Sequence, residues 1–337
     1  MPNSHQPLRS LLRRLWVHIN PRRRIQLGLL FLVMILASFA EVISIGSVLP
    51  FLGVLTAPDR IFEHAAAQPL INALGLTEPK QLMLPLTIVF SVGAICSGLM
   101  RLIQLILVMR LSHAAGADLS VSIYQRTLYQ PYKVHVSRNS SEVIAGISIK
   151  ANAVIYVVIM PMLNMLSSVL MLSFLLLTLI IINPVVATST FVGFGIIYGV
   201  VILSTKKLLL RNSQRVSEKT NQVFKALQEG LGGIRDVLID RAQEVYCKIY
   251  RNADLPMRRG QANIAIISNS PRFGIEALGM VLIAVVAYSL TTGSKSFADS
   301  IPVLGALALG AQRALPMLQM LYASWSGLRG GQVALSD

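Results

Sequence analysis

Apolar positions in this chain fall in long runs rather than in alternation. The first run covers Ile25 to Leu55, broken late by Pro50, and the second goes from about Met83 to Leu111. A third spans Ala151 to Ile182, and after Asn183-Pro184 a fourth continues to about Leu210. A fifth extends from about Ile264 to Leu290 and a sixth from about Ser300 to Trp325. A helix that crosses the hydrocarbon core needs about 20 mostly apolar residues. The pattern therefore predicts an all-α membrane protein with six spans, at 25–55, 83–111, 151–182, 185–210, 264–290 and 300–325. The first run is too long for the apolar core of a signal peptide, and no A-x-A pattern closes it.

Polar positions between the runs predict further helices. Residues 112–129 continue the second run without a breaker other than Gly116, until Pro131 stops the helix. Asn139-Ser140-Ser141-Glu142 has the form of a capping box and predicts that the third helix restarts there. Beyond the fourth run, Val216, Val223, Phe224, Leu227 and Leu231 line one helical face. Gly230, Gly232 and Gly233 interrupt it, and Ile234, Val237, Leu238, Val245 and Ile249 begin another stripe, with Glu244 and Lys248 as an i,i+4 pair. The extensions occupy 112–150 and 211–263, each about 40 to 50 residues, against outer turns of about 27, two and eight residues. In the longest outer turn, Asp59 to Leu76, Leu70, Ile71, Leu74 and Leu76 follow Pro69 as a short amphipathic stretch. Sealing the outer end and lying on the membrane surface are equally good readings of it.

Composition sharpens the picture. With 54% hydrophobic residues, 13% charged residues and a mean hydropathy of +0.63, the chain is too apolar for two soluble domains. The 30 Lys and Arg against 15 Asp and Glu give a net charge of +15. That charge invites a nucleic-acid reading, which the apolar excess excludes. Location explains it better. Basic residues crowd the N-terminal segment 1–24 (Arg9, Arg13, Arg14, Arg22, Arg23, Arg24) and both extensions, whereas the opposite loops hold Arg60, Lys80 and Lys295. The basic side is expected to be cytoplasmic, with both termini inside, in a bacterial inner membrane. Cys96 and Cys247 read as free thiols.

Six spans with short outer loops and two long inner hairpins resemble the transmembrane half of a type-1 ABC exporter. The residues carrying the resemblance are Glu41 to Leu52 (EVISIGSVLPFL), Gln130 to Glu142 (QPYKVHVSRNSSE), Lys225 to Asp236 (KALQEGLGGIRD), Pro271 to Glu276 (PRFGIE) and Gln312 to Pro316 (QRALP). Within that family they look closest to transporters that flip lipid-linked oligosaccharides or export polysaccharide. The resemblance implies a homodimer, a lipid or glycolipid cargo and a nucleotide-binding domain using ATP and Mg. It also implies coupling helices at Tyr124 to Tyr132 and Gln228 to Asp236, which would rest on the ATPase domains. Tyr124, Tyr129, Pro131, Tyr132, Gln228, Glu229, Gly232, Arg235 and Asp236 are the candidates there.

A phosphate-binding loop needs G-x-x-x-x-G-K-[ST], and no Gly-Lys dipeptide occurs. Gly230-Leu231-Gly232-Gly233 lacks the following Lys. Leu328-Arg329-Gly330-Gly331-Gln332 has the look of an ABC signature but follows a span directly, and we read it as coincidence. The chain itself is expected to hydrolyse no ATP and to hold no cofactor or metal, and 326–337 is expected to lead towards a nucleotide-binding domain. The scattered His5, His18, His64, His113 and His135 show no paired ligand spacing, and the Gly195/Gly199 pair reads as close helix packing.

Charges inside the runs demand a reason, because each costs about 2.5–3.5 kcal/mol at a helix centre on insertion scales. They are Glu41, Arg101, Arg313 and, near the inner end of the fifth run, Arg272 and Glu276. One reading pairs them internally: Arg272 with Glu276, and Arg101 or Arg313 with Glu41, with snorkelling open to Arg272 and Arg101. The other gathers Arg101, Arg272 and Arg313 around a cavity that holds a lipid pyrophosphate, since guanidinium binds phosphate bidentately. Export of a peptide or another lipid, a lipid-phosphate enzyme and a non-transporting scaffold are the competing functions. Glu41 and Glu276 are too isolated for the enzyme.

Overall fold

The computed structural model describes residues 20–64, 67–137, 152, 154–182, 184–291 and 297–330. Every regular element among them is helical. The chain opens on α1 (Pro21–Gly46), α2 (Val48–Thr56), α3 (Pro58–Glu63) and α4 (Gln68–Leu74), followed by a 3₁₀ turn at Pro79–Leu82. Proline starts several of these, at positions where its missing N–H loses no helical acceptor. Asn20 caps α1, its side chain accepting from the Arg22 N–H at 3.3 Å.

The first apolar run breaks at Ser47 rather than at Pro50. Pro50 cannot donate to the Gly46 carbonyl and crowds it, so the disruption falls one turn upstream of the ring. There the Ser47 N–H bonds Ile43 O at 2.9 Å and its hydroxyl donates to Ser44 O at 2.8 Å. The second run and its polar continuation form one helix, α5 (Met83–Leu128), which ends three residues before Pro131 and is followed by α6 (Tyr132–Ser137). The capping motif at Asn139 to Glu142 lies outside the described residues.

The third run enters through a π-helical turn, Val154–Ile159, before α7 (Met160–Ile182). Pro161 accounts for it: the widened turn accommodates a ring that cannot donate to the turn before it. Next come α8 (Pro184–Gly232), α9 (Ile234–Ile239), α10 (Gln243–Asn269), α11 (Pro271–Thr291) and α12 (Phe297–Gly330). The fifth run is therefore not one helix. Pro271 divides it at Ser270, whose N–H still bonds Ile266 O at 2.7 Å.

Four stretches among the described residues are long and apolar enough to cross a membrane: Pro21–Thr56, Pro79–Leu128, Val154–Ile181 and Phe191–Gly232. Their outer faces carry rows of exposed large side chains, such as Leu29, Leu32, Leu36 and Ile43 on α1 and Ile88, Ile95, Leu99 and Leu102 on α5. Contiguous apolar surface of that extent belongs against lipid rather than water. The chain is an integral membrane protein.

The inner faces make the core. Leu30 and Met34 of α1 meet Val108 and Leu111 of α5. Ile45 packs with Leu172, Leu175 and Leu179 of α7, Ala187 of α8 and Ala314 of α12. Phe194 and Tyr198 of α8 meet Ile275 of α11 and Tyr322 of α12. Polar ties mark the ends of these contacts. Arg23 grips Asp118 through Nε at 2.8 Å and Nη2 at 3.3 Å, fixing the start of α1 to the polar half of α5. The Tyr322 hydroxyl donates to Ile267 O at 3.2 Å. The amphipathic outer stretch folds over the end of α2, where Val54, Ile71 and Leu82 are buried together with Ile61, Phe62 and Leu76 around them. Gly75 (φ 61°) closes α4 in the left-handed region, letting the Leu76 N–H reach Ile71 O at 3.1 Å. This favours sealing over membrane-surface binding.

The polar hairpin of α8 and α10 is narrower than its apolar stripe predicts. Val216 and Val223 face Tyr250, Ala253 and Met257, but Phe224, Leu227 and Leu231 stay exposed. Small residues on α10 draw the helices together along one row of side chains: a Cβ on Gly260 would sit 2.7 Å from Val216 Cγ2. The second stripe is likewise open at Ile234, Leu238, Val245 and Ile249, with Val237 buried. The expected Lys248–Glu244 pair is present at 3.3 Å.

Gly116 is the glycine on which the long α5 most depends, because an added Cβ would overlap the Ile155 side chain of the π turn. Gly116→Val is expected to destabilise the detergent-solubilised protein by about 1–3 kcal/mol, the usual cost of overpacking. Adding Ile155→Ala should recover much of that loss, as read from thermal unfolding of the single and double variants.

Candidate functional site

Each apolar run places its few polar residues by helical period. On α1, Ser38, Glu41 and Ser44 share the buried face. On α5, Ser97, Arg101 and Gln104 lie at i, i+4 and i+7, so they too share a face. Arg313 lies on α12 beside buried Ala314. Packing of α5 and α12 with α1 brings these faces together at Glu41.

Glu41 is 2% exposed and is surrounded by three groups from two helices. The Ser97 hydroxyl donates to its Oε2. Arg101 Nε stands 3.6 Å from the same oxygen, and Arg313 Nε stands 3.1 Å from Oε1. The Arg101 approach is an ion pair without a hydrogen bond, since 3.6 Å is beyond hydrogen-bond range. Oε1 likewise accepts no aligned hydrogen bond. One step along α5, the Gln104 amide donates to the Ser167 hydroxyl of α7, extending the polar seam.

A lone carboxylate in this setting is costly, and two guanidiniums offset that cost. The arithmetic of charge leaves a surplus, because two positive groups share one negative group. Each guanidinium keeps about a third of its side-chain surface open, 32% for Arg101 and 31% for Arg313. Their contacts to Glu41 run through Nε. Among the described residues, the Nη nitrogens of neither arginine make a hydrogen bond. Those are the nitrogens with which guanidinium grips phosphate or carboxylate.

The sequence pattern offered Arg101 or Arg313 as the partner of Glu41, and the structure uses both. It does not bring Arg272 or Glu276 into this cluster. Both are exposed on α11, and no ion pair joins them among the described residues although they are four apart. Pro271 heads this helix and leaves the base N-terminal to the acid, the weaker order for an i,i+4 pair. Ser97, Gln104 and Ser167 were not among the expected site residues. Their signal was present, as polar side chains at helical spacing within otherwise apolar runs.

The coupling candidates divide differently from expectation. Tyr124 belongs to α5, Tyr129 caps it, Pro131 sits in the break, and the short separate helix is Tyr132–Ser137. Gln228, Glu229 and Gly232 finish α8, whereas Arg235 and Asp236 begin the short α9. Each short helix thus lies towards the C-terminal side of its expected window, because the long helices run on until Pro131 and Gly233 stop them. Tyr124, Tyr129 and Tyr132 are exposed at 54%, 84% and 82%, and the candidates on α8 and α9 are exposed as well. A second break, at Asp240 to Ala242, has no glycine to announce it. Arg241 takes a positive φ of 51°, and the Ala242 N–H bonds Val237 O at 2.9 Å.

Residues 25–309 match the family model described as ABC transporter transmembrane region. No curated protein matches the chain.

If Glu41 is the counter-charge that holds two arginines on separate helices, losing it should cost more than losing either arginine. Glu41→Ala is expected to destabilise the protein by about 1–3 kcal/mol, below the usual cost of breaking a buried pair because both guanidiniums keep some solvent. Arg101→Ala leaves the Glu41–Arg313 pair and should cost less. Thermal unfolding of the three proteins in one detergent compares them.

Proposed function

The chain belongs to the ABC transporter transmembrane-region family, and from that premise we propose that it moves a lipid-linked oligosaccharide or related glycolipid across its membrane by alternating access. A membrane region of this family works with a nucleotide-binding domain, so the energy comes from ATP and Mg bound there. We read this chain itself as carrying no ATP hydrolysis, given the missing Gly-Lys dipeptide. In this reading α11 and α12 supply the fifth and sixth spans, the basic segments face the cytoplasm of a bacterial inner membrane, and two copies pair as a homodimer.

The observation that carries the cargo reading is the charge surplus at Glu41. Arg101 and Arg313 hold their place through Nε and keep their Nη edges for an anionic group that neither helix supplies. A phosphate or pyrophosphate headgroup fits that vacancy in charge, while its lipid tails stay in the bilayer. Arg272 stands apart from the pair and belongs to the path of the cargo rather than to the same grip. Glu41 positions the pair, and Glu276 has no role in holding phosphate.

The exposed ends at Tyr129 to His135 and at Gly232 to Ile239 suit the family's coupling role. Both present short helices and open apolar or aromatic side chains beyond a long rigid helix. Docking on an ATPase domain would cover them. A peptide exporter of the same architecture is the second reading, and a scaffold that docks the same partner without transport is the third. The surplus arginines favour an anionic cargo over both.

Reconstitution with the nucleotide-binding partner tests the proposal. Candidate lipids are screened for stimulation of ATP hydrolysis and for flipping in vesicles. Lipid pyrophosphates are expected to stimulate, whereas uncharged lipids and peptides are not. Arg313→Ala should cut flipping by about tenfold or more, the loss of one charged contact, with expression and assembly retained. Undiminished transport by Arg313→Ala removes this arginine from the mechanism, and stimulation by peptides alone overturns the cargo class.

A further inference from the structure

A second basic site lies away from Glu41, where α8 and α10 leave the apolar region together. A cavity of about 480 Å³ opens between them, lined by Leu208, Arg211, Asn212, Arg215, Asn263, Ile266 and Ile267. The two helices are antiparallel neighbours, and both order their lining residues in the same way. On α8 the apolar Leu208 comes at the end of the fourth run, and Arg211 and Arg215 follow one turn apart. On α10 the order is reversed in sequence, with Asn263 in the polar part and Ile266 and Ile267 towards the apolar end. The cavity therefore has an apolar end continuous with the lipid-facing surface and a cationic end beyond it.

Its electrostatics are one-sided. No acidic side chain lines it. Arg211 and Arg215 are exposed and have no ion-pair partner among the described residues. This contrasts with other arginines and lysines on the same hairpin, such as Arg258 with Asp254 at 3.3 Å and Lys225 with Glu229 at 3.8 Å. Asn212 is buried, and its side-chain amide donates to Leu208 O at 3.0 Å. Arg211 and Arg215, at i,i+4, line the cavity from one face of α8, and Asn263 lines it from the facing helix.

We propose that this cavity binds the phosphate headgroup of an anionic phospholipid from the surrounding membrane. Arg211 and Arg215 hold the phosphate, Asn263 hydrogen-bonds the glycerol or headgroup oxygens, and the first acyl carbons lie on Leu208, Ile266 and Ile267. A basic pocket between helices at the membrane face is a setting in which each arginine adds about 1 kcal/mol of attraction to an anionic lipid. A free anion would use the arginines but gain nothing from the apolar end, so the occupant is a lipid. The inference needs the chain to be membrane-embedded and is independent of the cargo reading at Glu41.

The full chain, purified in an uncharged detergent, is titrated with dioleoyl phosphatidylglycerol or dioleoyl phosphatidylcholine, and bound lipid is counted by native mass spectrometry. Phosphatidylglycerol is expected to bind preferentially. Arg211→Gln with Arg215→Gln should weaken it by about thirty-fold, the effect of two such charges. Lys225→Gln with Lys248→Gln, an equal loss of charge at exposed positions of the same hairpin, should leave it within about twofold, since a charge beyond a Debye length contributes little. Leu208→Gln keeps both arginines and should also weaken phosphatidylglycerol, while leaving any weak competition by glycerol phosphate unchanged. Equal binding of the two lipids, or an equal loss in the lysine control, overturns the site. Competition by glycerol phosphate as strong as by the lipid overturns the assignment to a lipid and leaves a simple anion site. Since Arg101 and Arg313 are intact throughout, failure here leaves the transport proposal standing.

Discussion

One buried carboxylate organises the middle of this protein. Glu41 cannot stay ionised in an apolar setting without partners, and the partners it has come from two other helices. Arg101 and Arg313 are in turn costly inside a membrane without a counter-charge. The three residues therefore require one another, and that requirement fixes α1, α5 and α12 at one depth. The apolar clusters on either side have shape but little direction. Ion pairs supply the register that sliding Leu and Ile faces do not.

Under the proposed function, structure and function share the residues of this cluster. A neutral knot of one acid and one base would serve stability alone. The extra guanidinium makes it an attractive place for an anion, and the open Nη edges give that anion something to bond. Ser97 and Gln104 matter for the same reason. They settle the carboxylate and the neighbouring seam with hydroxyl and amide groups, which leaves the charged edges uncommitted. Arg272, standing outside, divides the expected trio of arginines into a fixed pair and a separate third.

Much of the fold was legible because lipid imposes a length rule. Apolar runs such as Met83 to Leu111 and Ala151 to Ile182 could only be helices, and Pro131 and Pro184 marked real boundaries. What escaped the sequence was the response of the backbone to proline within a run. Pro50 moved its break upstream to Ser47, Pro161 widened a turn into a π-helix, and Pro271 split a predicted helix in two. Proline announces a disruption in each run, but not whether the helix breaks a turn upstream, widens or divides. The site was legible in its charges and in the pairing of Glu41 with Arg101 or Arg313, but not in the sharing of that one acid by both. Spacing along the chain puts Arg272 and Glu276 on one helical face, yet only packing decides that they stand apart while Arg101 and Arg313, far separated in sequence, share an acid. The break at Arg241 left no trace at all, because an arginine is an unusual occupant of a positive φ.

The continuity of α5 has a mechanical meaning. From Arg101 to the cap at Tyr129 the helix is unbroken, a rod of about 42 Å at 1.5 Å per residue. Its apolar end is clamped at the ionic cluster, its polar half is tied to the start of α1 through Arg23 and Asp118, and its free end carries the exposed break that precedes Tyr132. A tilt of only about 5° about the clamp swings that free end by nearly 4 Å, by the same geometry. In reverse, a push of that size on the tip reaches the guanidiniums reduced to a small rotation. Small rotations suffice where charges stand 3 to 4 Å apart, since a change of a fraction of an ångström decides whether a given nitrogen faces Glu41 or something else. By geometry alone, a rod of that length scales a coarse displacement at its tip down to a fine one at the ionic cluster.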